Sequence, residues 1–221
     1  VEFYIFKLDD DGNRTMIPQD QASYMDIAPE DHGENIRRDI SFALVDMGIR
    51  PEASHHEMGP GQNEIDFRYA DPLTAADNAS TFKWVVKSIA TSDGVWADFS
   101  PKPLADKPGN GMHINMSVES RDGQDHSAAF MAGILEHIRE MTLFLNPIRE
   151  SYERLGDMKA PKFVSWSEQN RSQLIRIPAS RSDLKRFELR SPDPMANPYL
   201  AFALLIYAGL DGIERGLEPM A

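Results

Sequence analysis

The stretch Ser54-His55-His56-Glu57-Met58-Gly59-Pro60-Gly61-Gln62-Asn63-Glu64-Ile65-Asp66-Phe67-Arg68-Tyr69 decides how the fold is read. Two runs of strand character flank Gly59-Pro60-Gly61-Gln62, a turn composition, and so predict a β-hairpin. Beyond the turn, Ile65, Phe67 and Tyr69 fall on one face while Glu64, Asp66 and Arg68 fall on the other, the alternation of a half-buried antiparallel strand. A four-residue turn over 59–62 sets Met58 opposite Asn63 and Glu57 opposite Glu64. Like charges facing each other across a strand pair are destabilising, so this pair either lies in solvent or holds a cation. Carboxylate oxygens are hard ligands that suit Mg²⁺ or Mn²⁺. Two carboxylates taken alone leave both readings open. His55 and His56 are neighbours on a strand and face opposite ways, so they do not readily share one ion, and one of them reads as a packing residue.

Outward from this hairpin, strands and helices are mixed without an internal repeat. Glu2 to Leu8 has strand composition and Asp9-Asp10-Asp11-Gly12-Asn13 reads as a hairpin turn. That acidic run is a poor calcium loop, because Gly12 falls too early and no closing glutamate follows at the right offset. Helical periods cover roughly 29–47, ending at Gly48, and 77–90, with Trp84, Val85 and Ile89 on the buried side. A long amphipathic helix spans 126–145, stopped by Asn146-Pro147, and a strongly apolar one spans 196–217. Strands at 111–118 and within 163–190 complete the pattern. Strands that bunch into hairpins predict an α+β fold, an antiparallel sheet packed with helices.

The chain has 221 residues, 41% hydrophobic and 26% charged, enough for one substantial core. Its formal charge of −12 argues against a nucleic-acid partner. No apolar run approaches the roughly 20 residues that span a bilayer, so no membrane partner is expected. There is no cysteine, which excludes disulfides and thiolate metal sites and suits a cytoplasmic location.

In this acidic background the arginines at 171, 176, 186 and 190 are conspicuous. Arg186-Phe187-Glu188-Leu189-Arg190 places Arg186, Glu188 and Arg190 on one strand face. A glutamate between guanidinium groups is expected where a metal-bound polyphosphate meets arginine, although a surface ion-pair network has the same pattern. Met112-His113-Ile114-Asn115-Met116-Ser117 puts His113, Asn115 and Ser117 on a common face. The preceding Pro108-Gly109-Asn110-Gly111 is a turn that lets a substrate approach the backbone. No Walker loop or dinucleotide fingerprint is present, so a bound nucleotide would rest on metals, arginines and other side chains.

Together these segments resemble the catalytic domain of glutamine synthetase, of the bacterial and archaeal class, nearly end to end. The resemblance is carried by His55-His56-Glu57 with Gly61-Gln62-Asn63-Glu64, by Gly111-Met112-His113, and by Asn170-Arg171-Ser172 through Arg176-Ile177-Pro178. Arg186-Phe187-Glu188-Leu189-Arg190 and Ser191-Pro192-Asp193-Pro194-Met195-Ala196-Asn197-Pro198-Tyr199-Leu200 extend it. It implies a single catalytic domain over 1–221, a fragment without the family's N-terminal domain and C-terminal region. The implied activity is ATP-dependent ligation of glutamate to ammonia through a γ-glutamyl phosphate, giving glutamine, ADP and phosphate. It further implies two Mg²⁺ or Mn²⁺ ions, the first held by Glu2, Glu57 and Glu64 and the second by His113 and Glu188. Glu52, Asn115, Ser117, Arg176 and Arg186 fall where ATP is bound. Gly109, Arg154, Arg171 and Arg190 fall where glutamate is held, and the three arginines double as catalytic groups on the moving phosphoryl. The full-length protein is expected as a ring-shaped homo-oligomer, and the fragment alone is expected to be inactive.

The sequence departs from the family pattern at Lys159, where a glutamate is usual in the substrate loop, and at Pro108, where many members have asparagine. A lysine repels ammonium. These departures raise two alternatives: a γ-glutamyl-amine ligase that uses another small amine, and a non-catalytic relative that binds metal and nucleotide.

Overall fold

The computed structural model describes residues 1–121, 123–179 and 186–219, and the chain divides into two compact units, 1–110 and 111–221. The expected mixture of helices with antiparallel sheets is present.

In the first unit, β1 (Glu2–Leu8) runs through a five-stranded sheet. It pairs antiparallel with β2 (Arg14–Pro18), β4 (Gln62–Phe67) and β5 (Val95–Asp98), and β4 pairs with β3 (Pro51–His56). Residues 2–6 are all buried, because both faces of β1 are covered. Phe3 and Ile5 join Ile65 and the apolar sides of α1 (Glu34–Asp46) and α2 (Pro72–Ser92) in one core. Tyr4 and Phe6 point the other way, their rings stacked 5.6 Å apart, with Phe6 against Trp96 at 5.1 Å.

Local chemistry sets the element ends. Asp9 accepts from the backbone N–H groups of Asp11 and Asn13, closing the β1–β2 turn in solvent as the sequence predicts. Asp71 caps α2 by accepting from Thr74 N, with Pro72 at the first helical position. The first helix starts at Glu34 rather than near Pro29. Of the residues expected on the buried side of α2, Val85 is buried and Ile89 packs partly buried against the core, but Trp84 is exposed; Phe82, Val86 and Ala90 complete the buried side.

In the second unit, a four-stranded sheet has the order β6 (Ile114–Ser117), β9 (Arg186–Leu189), β8 (Ile175–Ile177), β7 (Trp166–Glu168). Its central pairings are antiparallel, and β7 joins β8 in parallel. Helices α3 (Ser127–Leu145) and α5 (Pro198–Glu214) pack closely on each other, and the short α4 (Arg149–Arg154) follows α3. The close approach depends on glycine: a Cβ on Gly133 would lie 2.1 Å from the Ala208 carbonyl oxygen. Part of the expected strand-and-loop region 163–190, namely 180–185, lies outside the described residues. No helix among the described residues is long and apolar enough to cross a membrane.

Candidate functional site

The hairpin that decided the sequence reading does form, but its register differs from the expected one. His55 pairs with Glu64 and His56 with Asn63, so the connection is longer than four residues and Glu57 lies within it. Its closure uses Glu57 N to Gln62 O at 2.8 Å and Gln62 N to Gly59 O at 2.9 Å. The like-charged cross-strand pair is therefore Glu2 with Glu64, on β1 and β4. Glu57 joins through a histidine: His55 Nε2 lies 3.1 Å from Glu57 Oε1 and 3.3 Å from Glu64 Oε2. Those hydrogen bonds, first to Glu57 and then to Glu64, hold the His55 imidazole protonated up to about 10, against the opposing effect of burial. Tyr24 packs edge-on against the ring at 5.7 Å.

These groups meet the requirements of a divalent cation. Glu2 is buried and the side chains of Glu57 and Glu64 are 15% and 12% exposed, so the solvated alternative does not hold. His55, Glu57 and Glu64 offer ligand atoms within 4.8 Å of one another. The two glutamates supply carboxylate oxygens, suited to Mg²⁺ or Mn²⁺, while the His55 nitrogen is engaged with both of them.

His56 faces away, as alternation requires, and is fully buried. Its Nε2 lies 3.0 Å from Asp20 Oδ1, which also accepts from Gly61 N at 2.8 Å. Burial alone would raise the Asp20 carboxyl, but the His56 hydrogen bond and the Gly61 amide outweigh it and hold the group below its usual range. Arg37 pairs with Asp31 at 2.5 Å and donates to Asn63 Oδ1, also at 2.5 Å. This buried layer fixes the backbone behind the carboxylates. Sequence reasoning missed Asp20, Asp31 and Arg37, because Asp20 lies 36 residues from its histidine and nothing local marks it.

The second unit carries the other cluster. Asn115, Glu188 and Arg176 are register partners across β6, β9 and β8, and so form one row of the sheet. Ser117 pairs with Arg186 in the next row. Glu188 is buried, with Arg176 Nε 2.5 Å from its Oε2 and Arg190 Nη1 3.0 Å from its Oε1. His113 Nδ1 is 3.7 Å from Oε1, close enough for the two residues to share an ion. Arg190 also donates from Nε to the Arg171 carbonyl at 2.7 Å, which ties the 170–173 turn to β9. Arg154, at the end of α4, is buried and donates to the carbonyls of Ser191 and Arg190. Arg171, Arg186, Asn115 and Ser117 are exposed. The arrangement concentrates guanidinium groups around one carboxylate, which suits an anionic ligand with bound metal. Glu52 stands exposed on β3 in the first unit, where Gly109 lies in the turn preceding Asn110.

Comparison with known proteins gives concordant results. The family model described as "Glutamine synthetase, catalytic domain" matches residues 1–221. A glutamine synthetase of Methanosarcina mazei is 50% identical over 99% of this chain, which spans 52% of that relative. One from Halobacterium salinarum is 46% identical over 99% of the chain, spanning 51% of the relative. Among solved structures, a GmaS/ADP complex matches with a TM-score of 0.86 at 33% identity, covering all of this chain and 55% of its own. The cryoEM structure of Plasmodium falciparum glutamine synthetase matches with a TM-score of 0.87 at 29% identity, covering all of this chain and 51% of its own. The chain thus spans about half the length of the curated relatives it matches.

Proposed function

The chain belongs to the glutamine synthetase family, and from that membership we propose that it supplies the catalytic residues for ATP-dependent ligation of glutamate to ammonia. The observation that carries this reading is the cross-strand pairing of Glu2 with Glu64, joined to Glu57 through His55, a set of little-exposed carboxylates that suits a divalent cation.

In the proposed reaction the side-chain carboxylate of glutamate attacks the γ-phosphorus of ATP. The bond to the β–γ bridging oxygen breaks, giving γ-glutamyl phosphate and ADP. Ammonia then attacks the acyl carbon, phosphate leaves, and a proton is lost to give the amide. Glu2, Glu57 and Glu64 would hold one divalent ion, and His113 and Glu188 a second. Mg²⁺ or Mn²⁺ bound there would neutralise phosphate charge. Arg154, Arg171 and Arg190 are assigned to the phosphoryl group and bear its charge as it moves. Glu52, Asn115, Ser117, Arg176 and Arg186 are assigned to ATP, and Gly109, with the same three arginines, to glutamate. Against a formal charge of −12 for the whole chain, this arginine concentration is the natural anion site of the second unit. In the full-length protein we place these residues in a ring-shaped homo-oligomer in the cytoplasm.

One feature favours a second reading, ligation of glutamate to another amine. Lys159 stands in the tight turn 156–160, closed by Ala160 N to Asp157 O at 2.9 Å, where the family pattern has a glutamate. A lysine there repels ammonium. The test is glutamate-dependent phosphate release from ATP by the full-length protein, with ammonium compared against small primary amines. Release at low ammonium supports glutamine synthesis, and release that requires an alkylamine supports the second reading. Tight nucleotide binding with no release under any amine would overturn both and leave a non-catalytic role.

A further inference from the structure

Gln62, at the start of β4, is buried and uses both ends of its amide. Its Oε1 accepts from Gly59 N at 2.9 Å, inside the carboxylate hairpin. Its Nε2 donates to the Gly109 carbonyl and to Asn110 Oδ1, each at 3.1 Å. Tyr4, on β1, reaches the same turn, and its hydroxyl donates to the Pro108 carbonyl at 2.6 Å. Gly59 has to be glycine, since a Cβ would lie 2.0 Å from Tyr4 Oη and 3.0 Å from Gln62 Oε1.

Asn110 anchors the end of the turn, its backbone N–H donating to the Pro101 carbonyl at 2.9 Å and its side-chain amide to the Ser100 and Asp98 carbonyls at 2.9 and 3.3 Å, whereas residues 108 and 109 have fewer handles. Pro108 has no N–H and Gly109 has no side chain, so these two are gripped by their carbonyls. Those two carbonyls are the ones Tyr4 and Gln62 hold. A carbonyl has two acceptor lone pairs, so a donor fixed on one sets the direction of the other. That remaining acceptor suits the α-ammonium group of an amino acid.

We propose that Gln62 and Tyr4 are positioning residues that lock the Pro108–Asn110 turn onto the Glu57–Glu64 hairpin and thereby set the affinity for glutamate. This rests on the reading of Gly109 as a glutamate contact. The link is direct. The same amide that shapes the metal-binding turn through Gly59 places the carbonyl offered to the substrate, so glutamate is registered against the carboxylates by one side chain.

The test is steady-state kinetics of the full-length protein carrying Gln62→Glu or Tyr4→Phe, with Mn²⁺ binding measured without glutamate. Gln62→Glu keeps an acceptor for Gly59 N and turns both donations into carboxylate–oxygen repulsions. Tyr4→Phe removes one hydroxyl and leaves the ring. Loss of one such hydrogen bond is expected to raise the glutamate KM roughly three- to ten-fold, while kcat, the ATP KM and Mn²⁺ affinity move less than about two-fold. A lowered thermal midpoint with an unchanged glutamate KM would overturn the proposal and leave a purely structural brace. A parallel rise in the ATP KM or loss of Mn²⁺ affinity would also overturn it, since the effect would then lie in the hairpin carboxylates. If Gln62→Glu does not fold, Tyr4→Phe decides alone. A wild-type protein with no glutamate-dependent phosphate release would instead sink the functional reading, and this proposal with it.

Discussion

Glu2 and Glu64 stand directly opposite one another on adjacent antiparallel strands. A cross-strand pair of like charges works against folding, and its placement at the heart of a buried sheet is intelligible as a site built to be completed by a cation. Mn²⁺ should therefore raise the thermal midpoint of the wild-type protein, because an ion that binds only the folded state stabilises it by mass action. In Glu2→Gln that increment should largely vanish and Mn²⁺ affinity should fall at least about ten-fold. Calorimetric titration together with melting curves, with and without chelator, checks both.

Around Glu188 the specificity comes from geometry as much as charge. Arg190 serves the Glu188 carboxylate from Nη1 and the Arg171 carbonyl from Nε, a fork that an ammonium does not reproduce. Arg190→Lys is expected to lower kcat by about 10²-fold while far-UV circular dichroism stays unchanged. A loss smaller than about three-fold would remove Arg190 from the phosphoryl-binding set.

The layer behind the hairpin makes a stability prediction. Asp20 accepts from His56 and from the backbone amides of Gly61, Ala22 and His32. Asp20→Ala leaves these buried donors without a partner and should cost about 2–4 kcal/mol by urea unfolding. Because the Asp20 carboxyl is depressed in the folded protein, its contribution is present above the ordinary aspartate range and is lost as pH falls through the folded value.

A second pH prediction concerns the α3–α5 contact. His137 Nε2 lies 2.8 Å from Asp211 Oδ2, which also accepts from Arg215. The Asp211 hydrogen bond raises the His137 pKa above 6.5. A raised histidine stabilises fully below its unfolded pKa, and the contribution disappears as pH climbs through the folded value. NMR titration should show the His137 midpoint above 6.5, moving down in Asp211→Asn.

How much of this was legible follows from how local each signal is. Periodicity exposed the strands at 2–8 and 62–67 and the helix at 126–145, because burial on one face writes itself into neighbouring residues. It misplaced Trp84, since the side of α2 that meets the sheet is set by packing rather than by the helix alone. The hairpin was visible in its glycines, but its register was not. The two-residue shift arises because His56 is drawn inward to Asp20, a partner on a different loop, and because Gln62 closes the turn on Gly59. The arginine strand was legible as a pattern, and its clamp on Glu188 needed the pairing of three strands that sequence spacing does not reveal.

The proposed ligation requires that glutamate's own side-chain carboxylate receive the γ-phosphoryl group of ATP. It is tested most directly by running the full-length protein with glutamate labelled with ¹⁸O in the side-chain carboxylate and analysing the released phosphate by mass spectrometry. Each turnover in the presence of the amine should carry one labelled oxygen from glutamate into phosphate. Phosphate that takes its new oxygen only from water would contradict the account, because the phosphoryl group would then never have passed to the substrate.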